Sequence, residues 1–142
     1  MNKQKFKVGI SAGDPNGIGI EVILKSLQNP KMLKLFNPVI FANTDIIEYQ
    51  MKAFNINLEL NSIETFEDIC NDRINVFSLS LGNFKHNFGE ATKHGGEFAS
   101  KSLLRSAHAL KSGKIQALVT GPINKKNIQS DSFKFIGHTD FL

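Results

Sequence analysis

Residues 6–19 read FKVGISAGDPNGIG, and the break in the middle of that stretch decides the fold. Phe6 to Ser11 reads as a buried first strand. Gly13, Gly17 and Gly19 then gather around Asp14-Pro15-Asn16 before a helix predicted from about Ile18 to Leu27. Ile20, Ile23, Leu24 and Leu27 recur on one side of that helix, at the spacing an apolar face requires. Asn29-Pro30 is expected to end it, because the residue before a proline avoids helical geometry. Upstream, Lys3, Lys5 and Lys7 alternate with Gln4, Phe6 and Val8, which suggests the solvated face of an entering strand.

The same alternation continues along the chain. PVIFAN (38–43) reads as a second strand, and Thr44 or Asp45 can cap a helix running to about Phe54. LELNSI (58–63) and INVFSL (74–79) are two further strand candidates. GNFKHNFGEATKHGG (82–96) is looser. From Glu97 to Lys111 a helix is predicted, with Ala99, Leu103, Ala107 and Leu110 on one face and Gly113 as its stop. IQALVTGP supplies the last strand. Strands alternating with helices predict an α/β fold, a mostly parallel sheet with flanking helices. In such sheets ligands sit beyond the carboxyl ends of the strands, so the strand exits carry the functional argument.

Two exits stand out. The first has the spacing G-x-x-x-G-x-G, which is neither the dinucleotide fingerprint nor a Walker A loop, since the required Lys is missing. Two readings stay open for it. Gly13, Asp14, Asn16 and Gly17 can line an anion site at a helix N-terminus, or the glycines serve a tight strand-to-helix turn that needs positive φ. The second exit is TGPINKK (120–126). Thr120 offers a hydroxyl, Pro122 stiffens the turn, and Lys125 can meet a phosphate as a point charge, with Lys126 the more solvated of the pair.

Among the histidines, His86 and His94 fall in the glycine-rich stretch and are expected to be solvated, whereas His108 lies in a helix pattern and is expected to pack. No pair has zinc-site spacing, and spacing alone assembles no Ser-His-Asp or Cys-His set. His138 and Thr139 differ. They stand side by side at a helix entry, in GHTDFL, where both can donate hydrogen bonds to an oxyanion.

Composition narrows the setting. The 142 residues are 41% hydrophobic and 21% charged, as in an ordinary globular domain. The formal charge of +4 is spread rather than clustered, so no nucleic-acid footprint is expected, and a phosphorylated metabolite satisfies the same charge. Cys70 is the single cysteine, which excludes an internal disulfide and favours a reducing cytoplasm. Neither a secretory signal nor a membrane-length apolar run is present, so no membrane partner is expected.

Taken in order, SAGDPNGIGIE, FGEATKHGGEFASKSLLRSAHAL, ALVTGPINKKNI and FKFIGHTDFL resemble the 4-hydroxythreonine-4-phosphate dehydrogenase family of pyridoxal phosphate biosynthesis, over the whole chain. Asp140 stands where the family usually has Glu, and Asn16 and Ile20 also depart from its commonest residues. The resemblance implies a two-lobed α/β fold similar to isocitrate and isopropylmalate dehydrogenases, with this chain as the N-terminal portion of a longer enzyme. It implies a cleft between the lobes completed across a homodimer, with His138 and Thr139 binding substrate. It further implies NAD or NADP as cofactor, and a divalent metal (Zn, Mg or Co) bound by histidines beyond Leu142. The implied reaction oxidises the secondary alcohol of a small phosphorylated amino acid, 4-phosphooxy-L-threonine, which then loses carbon dioxide to give 3-amino-2-oxopropyl phosphate. His138 would be a positioning donor rather than the general base. Two rivals accompany this reading: a phosphate acyltransferase of similar fold, and a lobe that binds a phosphorylated metabolite without turning it over.

Overall fold

A computed structural model describes residues 5–124 together with Asn127 and Ile128. Lys3, Lys125, Lys126, His138 and Thr139 lie outside the described residues. Five parallel strands form one sheet: β1 (Phe6–Ser11), β2 (Phe36–Phe41), β3 (Leu60–Ile63), β4 (Ile74–Phe77) and β5 (Ala117–Thr120), in the order β3-β4-β2-β1-β5. The α/β expectation therefore holds.

Side-chain alternation on the strands splits the core in two. Ile40 on β2 and Ile74 and Val76 on β4 face a cluster with Ile20 and Leu24 of α1 (Gly19–Ser26) and Ile46 and Ile47 of α3 (Thr44–Ala53). Val39, Phe41 and Phe77 face the other way, against Ala109 of α4 (Lys93–Lys111) and Ile115. Leu24 is completely buried, and hiding a side chain of that size from water is worth about 1.5–3 kcal/mol. Among the described residues no helix is long and apolar enough to cross a membrane.

Several local expectations are corrected. Asn29-Pro30 does not merely stop α1, which already ends at Ser26; it starts a further helix, α2 (Pro30–Leu35). Asn29 Oδ1 accepts from the Lys31 N–H at 3.0 Å, and proline in the first turn has the φ that a helix needs and loses no hydrogen bond there. The cap of α3 is Asn43 by backbone position, not Thr44 or Asp45. The Asn43 side chain reaches instead to Leu81, donating to its carbonyl. At the sheet entry the alternation is reversed: Phe6 is 69% exposed, while Lys5 is half-buried and pairs with Asp72.

α4 begins at Lys93, four residues before the predicted start. Gly95 and Gly96 lie inside its first turn because a side chain on either would strike a neighbour, the Asp14 carboxylate for Gly95 and the Asn127 carbonyl for Gly96. They serve close approach rather than looseness. The buried face of α4 is also rotated from the apolar one. Ala99 and Leu103 are buried as expected, but Leu110 is exposed and Ala107 half-exposed, while Ser102 and Ser106 turn inward. Ser102 Oγ accepts from the Ala12 N–H at 2.8 Å and donates to the Phe41 carbonyl at 2.6 Å, which pins α4 to the carboxyl ends of β1 and β2.

Candidate functional site

The chain leaves β1 toward β2 on one side and returns through α4 to β5 on the other. The strand order therefore reverses between β1 and β5, and a crevice opens beyond their carboxyl ends. A cleft of about 360 Å³ occupies that place. Asp14, Asn16 and Gly17 form one wall, Gly89 and Glu90 a second, and Pro122, Ile123 and Asn124 a third. A hollow of about 450 Å³ at the end of β4, beside Lys101 and Arg105, is larger. It lies away from the switch point and contains none of the residues singled out in the sequence.

The first wall is a turn held from inside. The Gly17 N–H donates to the Asp14 carbonyl at 2.9 Å, and the Asn16 N–H donates to Asp14 Oδ1 at 2.9 Å. Gly13, at φ +73°, lies beneath Pro122, where a side chain would meet the Pro122 carbonyl. It shapes the turn without lining the cleft. Thr120 ends β5 opposite Ser11 and is likewise not among the lining residues.

Asn16 is 2% exposed and joins the first wall to the second. Its Oδ1 accepts from the Asn87 N–H at 2.7 Å, its carbonyl accepts from the Gly89 N–H at 2.9 Å, and its Nδ2 donates to Thr92 Oγ1 at 3.2 Å. Thr92 in turn caps α4 by accepting from the Gly95 N–H at 3.0 Å. The third wall is tied in by Asn127, whose Nδ2 donates to Asp14 Oδ2 at 2.8 Å and to the Thr92 carbonyl at 2.9 Å.

Of the residues expected at the site, the structure brings Asp14, Asn16 and Gly17 together at the cleft, puts Gly13 behind it and leaves Thr120 at its edge. Lys125, His138 and Thr139 lie outside the described residues. Sequence reasoning missed Asn87, Thr92 and Asn127. Their only signal was membership of the two stretches GNFKHNFGEATKHGG and TGPINKKNI. The described lining carries two carboxylates, Asp14 and Glu90, and no basic side chain. The Gly17 N–H is taken by the Asp14 carbonyl, so an anion there would meet the backbone N–H groups from Ile18 onward, where α1 starts without a side-chain cap.

The histidines also differ from expectation. His86 is half-buried, not solvated: its ring stacks on Tyr49 with centroids 4.0 Å apart and 13° between planes. Burial pushes its pKa below the ordinary histidine value, and nearby Asp45 opposes that shift. His94 is exposed but leans on Phe84 and Phe98. His108, expected to pack, is exposed. Among the described residues no group of three His, Cys, Asp or Glu side chains is placed to hold a metal.

Known proteins resemble this arrangement. A 4-hydroxythreonine-4-phosphate dehydrogenase of Bacteroides thetaiotaomicron is 34% identical over 142 residues, covering 100% of this chain and 39% of its own length. A Clostridium botulinum protein, provisionally named a D-threonate 4-phosphate dehydrogenase, is 29% identical over 147 residues, covering 100% of this chain and 43% of its own. The crystal structure of a 4-hydroxythreonine-4-phosphate dehydrogenase from Burkholderia phymatum superposes with a TM-score of 0.87 at 26% identity, over 98% of this chain and 42% of that one. The chain thus spans about two fifths of the length of these relatives. The family described as "Pyridoxal phosphate biosynthetic protein PdxA" matches residues 34–142, well over half of the chain, and the chain belongs to that family.

Proposed function

We propose that this chain forms the N-terminal part of an NAD- or NADP-dependent dehydrogenase that oxidises the secondary alcohol of 4-phosphooxy-L-threonine. The 2-amino-3-oxo acid so formed loses carbon dioxide to give 3-amino-2-oxopropyl phosphate, a step of pyridoxal phosphate biosynthesis. The observation that carries this reading is the match to dehydrogenases of a phosphorylated threonine, joined to a cleft at the switch point between β1 and β5.

When bound, the nicotinamide accepts the hydride lost from the alcohol carbon. The chain's own residues bind and orient. The backbone from Ile18 onward, at the start of α1, offers N–H groups to a phosphate, whether of substrate or cofactor. Asp14 and Asn16 hold the surrounding walls at fixed separation, which is the positioning part of catalysis. His138 and Thr139 donate hydrogen bonds to the substrate, and Lys125 meets a phosphate as a point charge. The described residues hold no group of three His, Cys, Asp or Glu side chains that fits a divalent metal. A homodimer and a cytoplasmic setting belong to the same proposal.

The provisional D-threonate 4-phosphate name of one relative favours a second reading. Both candidates are four-carbon acids with a terminal phosphate and an oxidisable alcohol, and they differ in the group on the carbon next to the carboxylate. The full-length protein, supplied with each compound, NAD+ or NADP+ and a divalent metal, separates the two. Formation of reduced nicotinamide from the amino acid phosphate supports the first reading; formation only from the threonate supports the second. Formation from neither, with phosphate-dependent acyl transfer instead, replaces both with the acyltransferase. Binding without any turnover leaves a metabolite-binding lobe.

A further inference from the structure

We propose that Asp14 is a positioning residue whose buried carboxylate clasps Asn127 and thereby holds the third wall of the cleft in its substrate-admitting shape. That substrate is the one of the proposed dehydrogenase, whereas the clasp itself rests on the hydrogen bonds of Asp14 and Asn127. Asp14 is 6% exposed, and each of its oxygens is engaged, Oδ1 by the Asn16 N–H at 2.9 Å and Oδ2 by Asn127 Nδ2 at 2.8 Å. The second bond joins residues 113 positions apart in sequence.

Asn127 does not line the cleft, yet its one amide group ties the walls together. Besides Asp14, Nδ2 donates to the Thr92 carbonyl at 2.9 Å. Its backbone N–H donates to Asn124 Oδ1 at 3.1 Å, and the Ile128 N–H donates to the Asn124 carbonyl at 3.2 Å, so the lining residue Asn124 rides on the same turn. Asn127 Oδ1 is buried with no hydrogen-bond partner among the described residues. The amide therefore depends on its two acceptors, of which the carboxylate is the stronger because it is charged. The charge is also well placed: Gly95 leaves room for it against the first turn of α4, where the helix dipole favours an anion.

An asparagine at position 14 keeps the shape and loses the charge. Its single oxygen cannot serve both the Asn16 N–H and the Asn127 amide, so one tie is lost. With the Asn127 tie lost, the third wall is held only by the bond from Asn127 to the Thr92 carbonyl, and only a fraction of molecules retains the competent cleft. Apparent affinity falls by that fraction, while turnover of substrate once bound is little altered.

The test uses the full-length protein as Asp14→Asn, Asn127→Ala and the double variant. For the phosphorylated alcohol that the wild type oxidises, each single variant is expected to raise KM about tenfold with kcat within about threefold. The double variant is expected to be no worse than the more affected single one, since one clasp cannot be lost twice. Hydrogen exchange at the Ile128 amide of the third wall should quicken about tenfold, while Ile40 and Val76 in the sheet stay protected. Unchanged exchange at Ile128, or KM effects that add in the double variant, overturns the clasp. Should Asp14→Asn fail to fold, Asn127→Ala carries both measurements. If the wild type oxidises no phosphorylated alcohol, the functional reading falls, and the exchange data alone decide the clasp.

Discussion

Near the amino end of β4 the buried Asn75 joins the β3–β4 connection to the flanking strands, while at the carboxyl end of β1 the equally buried Asn16 joins loops far apart in sequence. Asn75 is fully buried. Its Oδ1 accepts from the Cys70 N–H and from Asn61 Nδ2, and its Nδ2 donates to the carbonyls of Pro38 and Cys70. Those ties close the short connection between β3 and β4 and fasten it to the flanking strands at Asn61 and Pro38. Asn16 spans 71 positions to Asn87 and 76 to Thr92, and the space left between these segments is the cleft. A buried asparagine satisfied close to home steadies the sheet. One satisfied across distant loops also sets the dimensions of a site, because its partners can separate without the sheet coming apart.

The strongest way to break this contrast is Asn75→Ala. It removes the partner of the buried Pro38 carbonyl and of the half-buried Cys70 backbone, and about 2–4 kcal/mol of stability should be lost. Urea unfolding measures the loss; a loss below about 1 kcal/mol would mean that water or rearranged loops replace the side chain. Hydrogen exchange around the cleft should not change before global unfolding does. Asn16→Ala is expected to cost less, about 1–3 kcal/mol, because its loops lie nearer solvent. It should quicken exchange at the Asn87 and Gly89 amides well below the global transition. If both amides stay protected, the two walls are held by something other than Asn16. Ser102→Ala lies between the two networks and removes the bridge from Ala12 to Phe41. About 1–2 kcal/mol should go, with α4 loosened from β1 while Asn75 keeps its partners.

The sequence made the sheet legible where local pattern and tertiary demand agree. The apolar runs of β1, β2 and β4 and the helical period of α1 were readable because burial on both faces leaves a plain apolar signal. The start of α4 was not, since Gly95-Gly96 reads as loop until Asp14 and Asn127 are seen to crowd it. The inward face of α4 was misread for a related reason: Ser102 and Ser106 count as polar by composition but are buried through their hydrogen bonds. Asn29-Pro30 carries both a stop signal and a start signal, and only the chain around it decides. At the site, the glycine turn was visible as a local motif. Asn127 was not, because a bond reaching back 113 positions leaves no periodicity to find.

The smallest expected effect concerns the segment that forms the second wall. His86 lies one residue before Asn87, stacked on Tyr49 and edge-on to Phe84 with centroids 5.0 Å apart. Tyr49 and Asp45 are the titratable groups facing it from α3, and the Asp45 carboxylate favours the protonated ring. Burial outweighs that attraction, so the folded-state pKa falls below the ordinary value of 6.5. The sign follows from linkage: a group whose pKa is depressed on folding binds protons more readily in the unfolded chain. Stability attributable to His86 is therefore fully present above about 6.5, declines as the pH falls past it, and levels off below the lowered folded value. Urea midpoints measured across that window should fall in the wild type and fall less in His86→Phe, which keeps the stack on Tyr49 and cannot take a proton. Because Asn87 follows directly, the wild-type decline should be accompanied by faster exchange at the Asn87 amide, with the amides around Asn75 unmoved. Equal decline in both proteins would place the acid sensitivity elsewhere, and would leave the second wall held by Asn16 alone.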